Sequence, residues 1–415
     1  AEAALPQVRD ITNEKMIVDL MGAHAEQPLV PLAGCAQVQY LSPTPGKEFV
    51  SVVAIPATNP KAPLGKKVMW GLSSNDTVYV STSNIYITSQ NYGTGSVWFR
   101  RPSERSDIYK FAINKNTISF VGSQTIPGTV LNQFSMDEYG GFFRVVTTEN
   151  ANSSRSGFVN HLFILNDQLQ TVSSIKNFAP TEKIYSARFM GNRAYVVTFR
   201  TIDPFIVFDL SDVRSPQYIG ELKIPGYSTY LHPYDATHVI GIGKNTGNDA
   251  ENPGFVWTEG LKIGMFDVTN PNIPTQLFST SIGDRGTDSA ALYDHHAFLF
   301  SREKNLLAIP VTIATLSDEQ KQSTSTKGWE YGQRSFEGLL AYSIDLRGGF
   351  TEIGRVTHLA TTTPSPVYRP VYDTGRDDGV IKRSLYIGDN LYVLSGGQMT
   401  IHNLWNFSQL GVVKF

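Results

Sequence analysis

FIVFDLSDVRSPQYIGELKIPG, residues 205–226, decides the fold. It reads as an alternating strand, an Asp-rich turn closed by Pro216, and a second alternating strand that stops at Gly226. Period-two alternation on both sides of an Asp/Asn/Pro turn marks a β-hairpin, because Pro fixes φ and a short acid or amide side chain bonds the turn backbone. The same order returns in LKIGMFDVTNPNIPTQLFSTSIG at 261–283 and in FVSVVAIPATNPKAPLGKKVMWG at 49–71.

A second kind of hairpin lies between these. IYSARFMGNRAYVVTF (184–199), TYLHPYDATHVIGIG (229–243), LYDHHAFLFSREKNLLAIPV (292–311), NQFSMDEYGGFFRVVTT (132–148) and SLYIGDNLYVLSG (384–396) share one plan. Each has an aromatic-bearing first strand, a short polar turn, and a more apolar second strand of the buried kind. From Ile184 to Thr229 the step is 45 residues, within the roughly 40 to 50 expected for one four-stranded propeller blade. Radial repetition of such blades protects sheet edges without closing a barrel. The chain is therefore read as all-β, a propeller of seven four-stranded blades within a range of six to eight. Blades are expected at about 77–126, 127–180, 181–226, 227–286, 287–360 and 381–415.

The first blade is expected to be incomplete or irregular, since 49–71 supplies only an outer hairpin. Residues 1–47 are read as an irregular N-terminal segment with MIVDL and QVQYL as candidate strands, and 48–415 as the propeller domain. Either those strands complete the first blade, or an upstream fragment does. Polar stretches at 245–259 and 312–335 are expected to be surface loops.

Composition agrees and narrows the function. The 35 Gly and 22 Pro, with 11% aromatic residues, suit many short strands broken by turns and argue against long helices. Lys and Arg number 35 against 37 Asp and Glu, a formal charge of −2, which leaves no footprint for nucleic acid or an anionic membrane. No run approaches a transmembrane segment, and the start AEAALPQVRD lacks signal-peptide regions, which is compatible with a signal already removed. The one cysteine, Cys35, excludes an intramolecular disulfide.

The stretches at 132–149, 182–226, 230–243 and 283–311 resemble a family of secreted bacterial and archaeal proteins with a C-terminal β-propeller distantly related to WD-type repeats. The resemblance covers roughly 49–415. It departs at His296, where that family usually has Lys, and in the family's further upstream repeats. It implies a propeller fold and an extracytoplasmic or cell-surface location.

In such a fold polar residues at the start of each first strand converge on a central channel. Gln133, Arg188, His232, Asp294, His295 and His296 are the candidates there. One reading is a ring for a carboxylate, a sugar or a metal, with Arg188 as bidentate donor. The plainer reading is that buried polar strand ends satisfy one another. Side chains alternate along a strand, so adjacent His295 and His296 are not expected to share one ion. Calcium is the better metal candidate, at Asp284 and Asp288 of GDRGTDS, with the turns DLSD (Asp209, Asp212) and GRDDG (Asp377, Asp378) as further oxygen donors. At any one of these positions a turn-capping Asp is the plainer reading. GIGKNTG at 241–247 reads as a hairpin turn, not a phosphate loop. Trp257, Trp329 and Tyr331 are read as exposed loop aromatics able to stack on sugars or anchor a partner, the plainer reading being that they cap a blade edge. No catalytic signature emerges, and no catalytic residue is assigned. The expected function is a binding or assembly module for a protein or glycan partner at the cell surface. The alternatives are a channel-mouth hydrolase or lyase, and a subunit of a surface filament or layer.

Overall fold

The computed structural model describes residues 7–8, 30–31, 33–41, 48–55, 59, 65–72, 76–92, 104–115, 117–150, 157–199, 203–248, 256–322, 330–359 and 379–415. MIVDL, Trp329, Asp377 and Asp378 lie outside them. The chain falls into two compact units, Ala1–Thr181 with Val213–Ser215, and Glu182–Asp212 with Pro216–Phe415.

In the first unit β1 (Gln7–Val8) pairs with β2 (Val30–Pro31). Next comes a three-stranded sheet of β3 (Val38–Tyr40), β4 (Glu48–Ala54) and β5 (Gly65–Leu72) in the order β3-β5-β4. Two four-stranded sheets follow, each in simple chain order. They are β6 to β9 (Thr77–Val80, Asn84–Tyr92, Glu104–Asn114, Thr117–Pro127) and β10 to β13 (Met136–Tyr139, Phe142–Asn150, Phe158–Leu165, Thr171–Phe178).

The second unit has four such sheets. They are β14 to β17 (Lys183–Met190, Arg193–Phe199, Asp203–Asp209, Gln217–Ile224), β18 to β21 (Tyr227–Pro233, His238–Asn248, Val256–Asp267, Thr275–Ile282), β22 to β25 (Leu299–Ser301, Leu306–Thr315, Gln333–Asp345, Gly349–Val356) and β26 to β29 (Ile381–Ile387, Asn390–Ser395, Gln398–Asn403, Gln409–Lys414). Every pairing in the four-stranded sheets is antiparallel. Among the described residues, six four-stranded sheets and one irregular first sheet make the seven blades of a propeller fold.

Burial explains which strand sits where. The middle strands are buried on both faces: Asn160 to Leu165 of β12 and Leu306 to Val311 of β23 form unbroken buried runs. The fourth strands β9 and β21 alternate exposed and half-buried residues, as a strand with one wet face must. The core lies between successive sheets. Tyr86 and Ile108 pack on Phe143, Val145 and Phe163 in the first unit. Tyr195, Phe205 and Val207 pack on Leu231, Val239 and Phe266 in the second. Leu306, Ala308 and Leu339 pack on Leu391 and Val393 at the last pair of sheets. Each fully buried Val, Leu, Ile or Phe among them contributes roughly 1.5–3 kcal/mol.

Three expectations change. QVQYL does add a strand, but β3 runs parallel to β5 and leaves β4 at the sheet edge among the described residues, so it does not furnish an inner hairpin. GIGKNTG is not a turn: it lies inside β19, whose ladder with β20 continues through Gly247 opposite Trp257. Its glycines admit close neighbours, and a Cβ on Gly243 would stand 1.7 Å from the Tyr227 carbonyl oxygen. Residues 245–248 and 256–259 accordingly extend that hairpin, and Trp257 is a buried strand residue, not a loop aromatic.

Candidate functional site

The local sequence builds a double turn ahead of β22. Ser289 caps the first, Ala290–Leu292, by accepting a hydrogen bond from the Ala291 N–H at 3.2 Å. Asp294 caps the second, His295–Ala297, by accepting one from the His296 N–H at 2.9 Å. Asp and Ser are favoured at such caps because their oxygens satisfy donors the turn leaves open. Buried Ala291, Leu292, Ala297 and Phe298 anchor the segment on both sides.

Asp294, His295 and His296 therefore precede the first strand of their sheet and do not belong to it. The expectation that His295 and His296 point to opposite faces of a strand is corrected. A tight turn brings them together, with ring centroids 3.9 Å apart. The His296 Nδ1 lies 2.9 Å from the Asp294 Oδ1. Gln133 is displaced from its strand in the same way. It opens the turn Gln133–Ser135, capped by Asn132, while β10 begins at Met136. Gln133 belongs to the first unit; the other candidates belong to the second.

Arg188 lies on β14 opposite Tyr195, and His232 on β18 opposite Ile240. The His232 ring is flanked by Phe298 at 5.0 Å and Phe300 at 5.1 Å, and its Nδ1 shares a hydrogen bond of 3.0 Å with the Tyr230 hydroxyl. Burial, reinforced by the Arg188 guanidinium, holds His232 down to about 4. It is neutral at pH 7.

Burial also lowers His295, helped by His296, Arg188 and Arg383 against the opposing charge of Asp294. Burial by itself would raise the Asp294 carboxyl, but the hydrogen bonds from His296 and the charge of Arg383 outweigh it and hold the group below the usual carboxylate range. Arg383, on β26, donates to the Asp294 Oδ2 at 3.0 Å. The sequence reading missed it by one position: the inner hairpin quoted for this blade starts at Ser384. Its place near the start of a first strand was the available signal. Arg188 thus acts on both His232 and His295, and Arg383 on both Asp294 and His295, so two guanidiniums share their field over the turn that carries the one carboxylate.

The calcium candidates are occupied otherwise. The Asp284 Oδ2 accepts from the Leu316 N–H at 2.8 Å and meets the Lys321 Nζ at 3.2 Å. The Asp288 Oδ1 meets the Lys244 Nζ at 2.9 Å. Asp209 caps its own turn through the Ser211 N–H and hydroxyl, and the hydroxyl bond is the main cause of its lowered pKa. Tyr331 is exposed, under the Arg285 guanidinium at 4.6 Å.

Six blades of one plan and an irregular first blade define the class, and comparison with known proteins assigns the family. A model described as the β-propeller domain matches residues 2–407, and the chain belongs to that family. It is 35% identical over 210 residues to an uncharacterized protein of Archaeoglobus fulgidus, covering 51% of this chain and 30% of that one. It is 38% identical over 190 residues to an uncharacterized protein of Methanocaldococcus jannaschii, covering 46% and 28%. These alignments span less than a third of either relative. Among solved structures it is similar to the Cps50 (Swd1) β-propeller domain of Myceliophteria thermophila, at 8% identity, TM-score 0.36, and coverage of 80% and 83%. The Pan2 WD40 domain of Neurospora crassa gives 10%, 0.37, 81% and 80%. No helix among the described residues is long and apolar enough to cross a membrane.

Proposed function

We propose that this propeller is a cell-surface binding module that holds a protein or glycan partner through an acidic group. The observation that carries the reading is the meeting of Arg188 from β14, Arg383 from β26 and the imidazoles of His295 and His296 from the turn before β22. Two first strands and the turn before a third bring these groups within electrostatic reach of His295, and Arg383 bonds the Asp294 carboxylate directly. Guanidiniums bind carboxylates in paired hydrogen bonds, and a rigid sheet scaffold keeps such donors in position. The extracellular location is supported by the resemblance of 182–226 and 283–311 to secreted propellers.

The test is an array of uronate-bearing glycans and acidic peptides beside their neutral counterparts. Acidic ligands should bind, more weakly as salt rises, and Arg188→Ala with Arg383→Ala should reduce binding at least about tenfold. Turnover of an arrayed substrate that vanishes with His232→Ala, while binding persists, would overturn the module reading in favour of a hydrolase or lyase. Protease accessibility on intact cells tests the location; protection would reject it.

The edge left on β4 supports one further partner, a strand supplied by an upstream fragment that pairs along Glu48–Ala54 by β-augmentation. A synthetic or co-expressed upstream segment should protect the amides of β4 from exchange. Unchanged exchange would reject that pairing.

A further inference from the structure

We propose that Asp294, His295 and His296 bind a divalent cation of the zinc class, with one coordination position left open to solvent. Among the described residues, ligand atoms from these three side chains all lie within 4.8 Å of one another. Two imidazoles and a carboxylate are the donor set of a borderline-soft ion, not of calcium or magnesium. Around tetrahedral zinc, ligands at ~2.0–2.2 Å stand roughly 3–3.5 Å apart, so the three ligand atoms have to close by little more than about 1 Å.

The backbone is already arranged for it. The Asp294 N–H donates to the Ala290 carbonyl at 2.8 Å, the Ala297 N–H to the Asp294 carbonyl at 3.0 Å, and the Phe298 N–H to the His295 carbonyl at 3.1 Å. The chain between two buried anchors is thus fixed, while the His296 side chain is 59% exposed and reachable by an ion. The Asp294 carboxylate is oriented from behind. Arg383 holds its Oδ2, and Oδ1 faces His296. Outer-sphere hydrogen bonds of this kind fix a ligating carboxylate in place.

The Asp294 to His296 bond caps the turn, and the same turn lays the His295 ring against that of His296. Among the described residues no other three such ligands lie this close together; His358 and His402 share the Thr400 hydroxyl, and Asp284 and Asp288 have no imidazole beside them.

The inference goes beyond the binding-module reading and is tested apart from it. The 415-residue chain, stripped with a chelator, is titrated with zinc chloride against a competing indicator, and cobalt(II) is added in parallel. One ion per chain should bind, and cobalt should develop the visible absorption of a tetrahedral site. His295→Ala and His296→Ala should each weaken binding by about 10- to 100-fold, and Asp294→Asn, which keeps the turn cap, by about tenfold. Asp284→Asn should change nothing. Circular dichroism of each variant confirms folding, and His296→Lys serves as a second variant should His296→Ala unfold. Zinc affinity equal in wild type and the His295 and His296 variants overturns the site, as does no saturable uptake. Acidic-ligand binding measured in chelator reports on the module reading alone.

Discussion

Phe205 and Phe266 stack face to face across two successive sheets, with ring centroids 4.6 Å apart and planes 14° from parallel. In the first unit Tyr86 and Phe143 repeat the arrangement at 4.1 Å and 14°. In both cases a middle strand of one blade meets a middle strand of the next. Phe205 is 1% exposed, so Phe205→Ala removes a full aromatic side chain and leaves a cavity between rigid sheets. The expected loss is about 3–5 kcal/mol, read from the urea midpoint at constant slope. A loss below about 1 kcal/mol would mean that the two sheets close the gap by moving together.

His232 gives the fold an acid sensitivity whose sign is fixed by its environment. Its folded pKa of about 4 lies below the ordinary 6.5, so the unfolded chain takes up a proton first as pH falls. The stabilisation is present in full above about pH 6.5, declines between 6.5 and 4, and is gone below. The change attributable to this residue is on the order of 3 kcal/mol. His232→Gln should flatten the stability profile over that window. An unchanged acid slope in the variant would assign the sensitivity elsewhere.

The blades were legible in the sequence because their hairpins obey period-two alternation and end at Pro or Gly. The strands β16 and β17, at Asp203–Asp209 and Gln217–Ile224, fall where FIVFDLSDVRSPQYIGELKIPG puts them. The cluster was only half legible. Arg188 and His232 lie on strands, where alternation locates them. LYDHHAFLF reads as one continuous strand, yet Ser289 and Asp294 wind its first half into turns and the strand starts at Leu299. Alternation cannot register a three-residue turn, whereas an Asp two residues before a bonded backbone N–H can. Parallel pairing of β3 on β5 was invisible because a three-residue strand carries no pattern.

Lys110 tests how the first unit tolerates a buried ammonium. Its side chain is 2% exposed, and its Nζ bonds both the carboxylate and the backbone oxygen of Asp167, whose own side chain is 69% exposed. The Tyr86 ring lies 5.8 Å from the charge. Asp167→Ala strands that ammonium with one carbonyl and should cost about 1–2 kcal/mol, discounted for the exposed carboxylate. Lys110→Met removes the charge, keeps the bulk, and should cost less. Denaturant midpoints for the two variants give the order, and the reverse order would show that the aliphatic stem matters more than the charge.

Gly220 and Gly122 separate backbone conformation from close approach. Both lie on fourth strands beside a β-bulge, Gly220 opposite Val207 and Gly122 opposite Lys110. On Gly122 a Cβ would meet nothing within 4 Å, but on Gly220 it would lie 2.1 Å from the Pro271 carbonyl oxygen and 3.1 Å from the Pro274 Cδ. Pro271 and Pro274 belong to the turn between β20 and β21, so the outer strand of one blade presses directly on the backbone of the next. Neither glycine requires a left-handed φ. Gly122→Ala should thus be neutral or stabilising by about 0.5–1 kcal/mol, since alanine restricts the unfolded chain. Gly220→Ala must push apart a pair of backbones that have no rotamer to give, at a cost of about 1–3 kcal/mol or more. Thermal midpoints of the two variants should move in opposite directions or differ by several degrees. Equal shifts would mean that the bulge, and not the approach of the neighbouring turn, sets the demand for glycine.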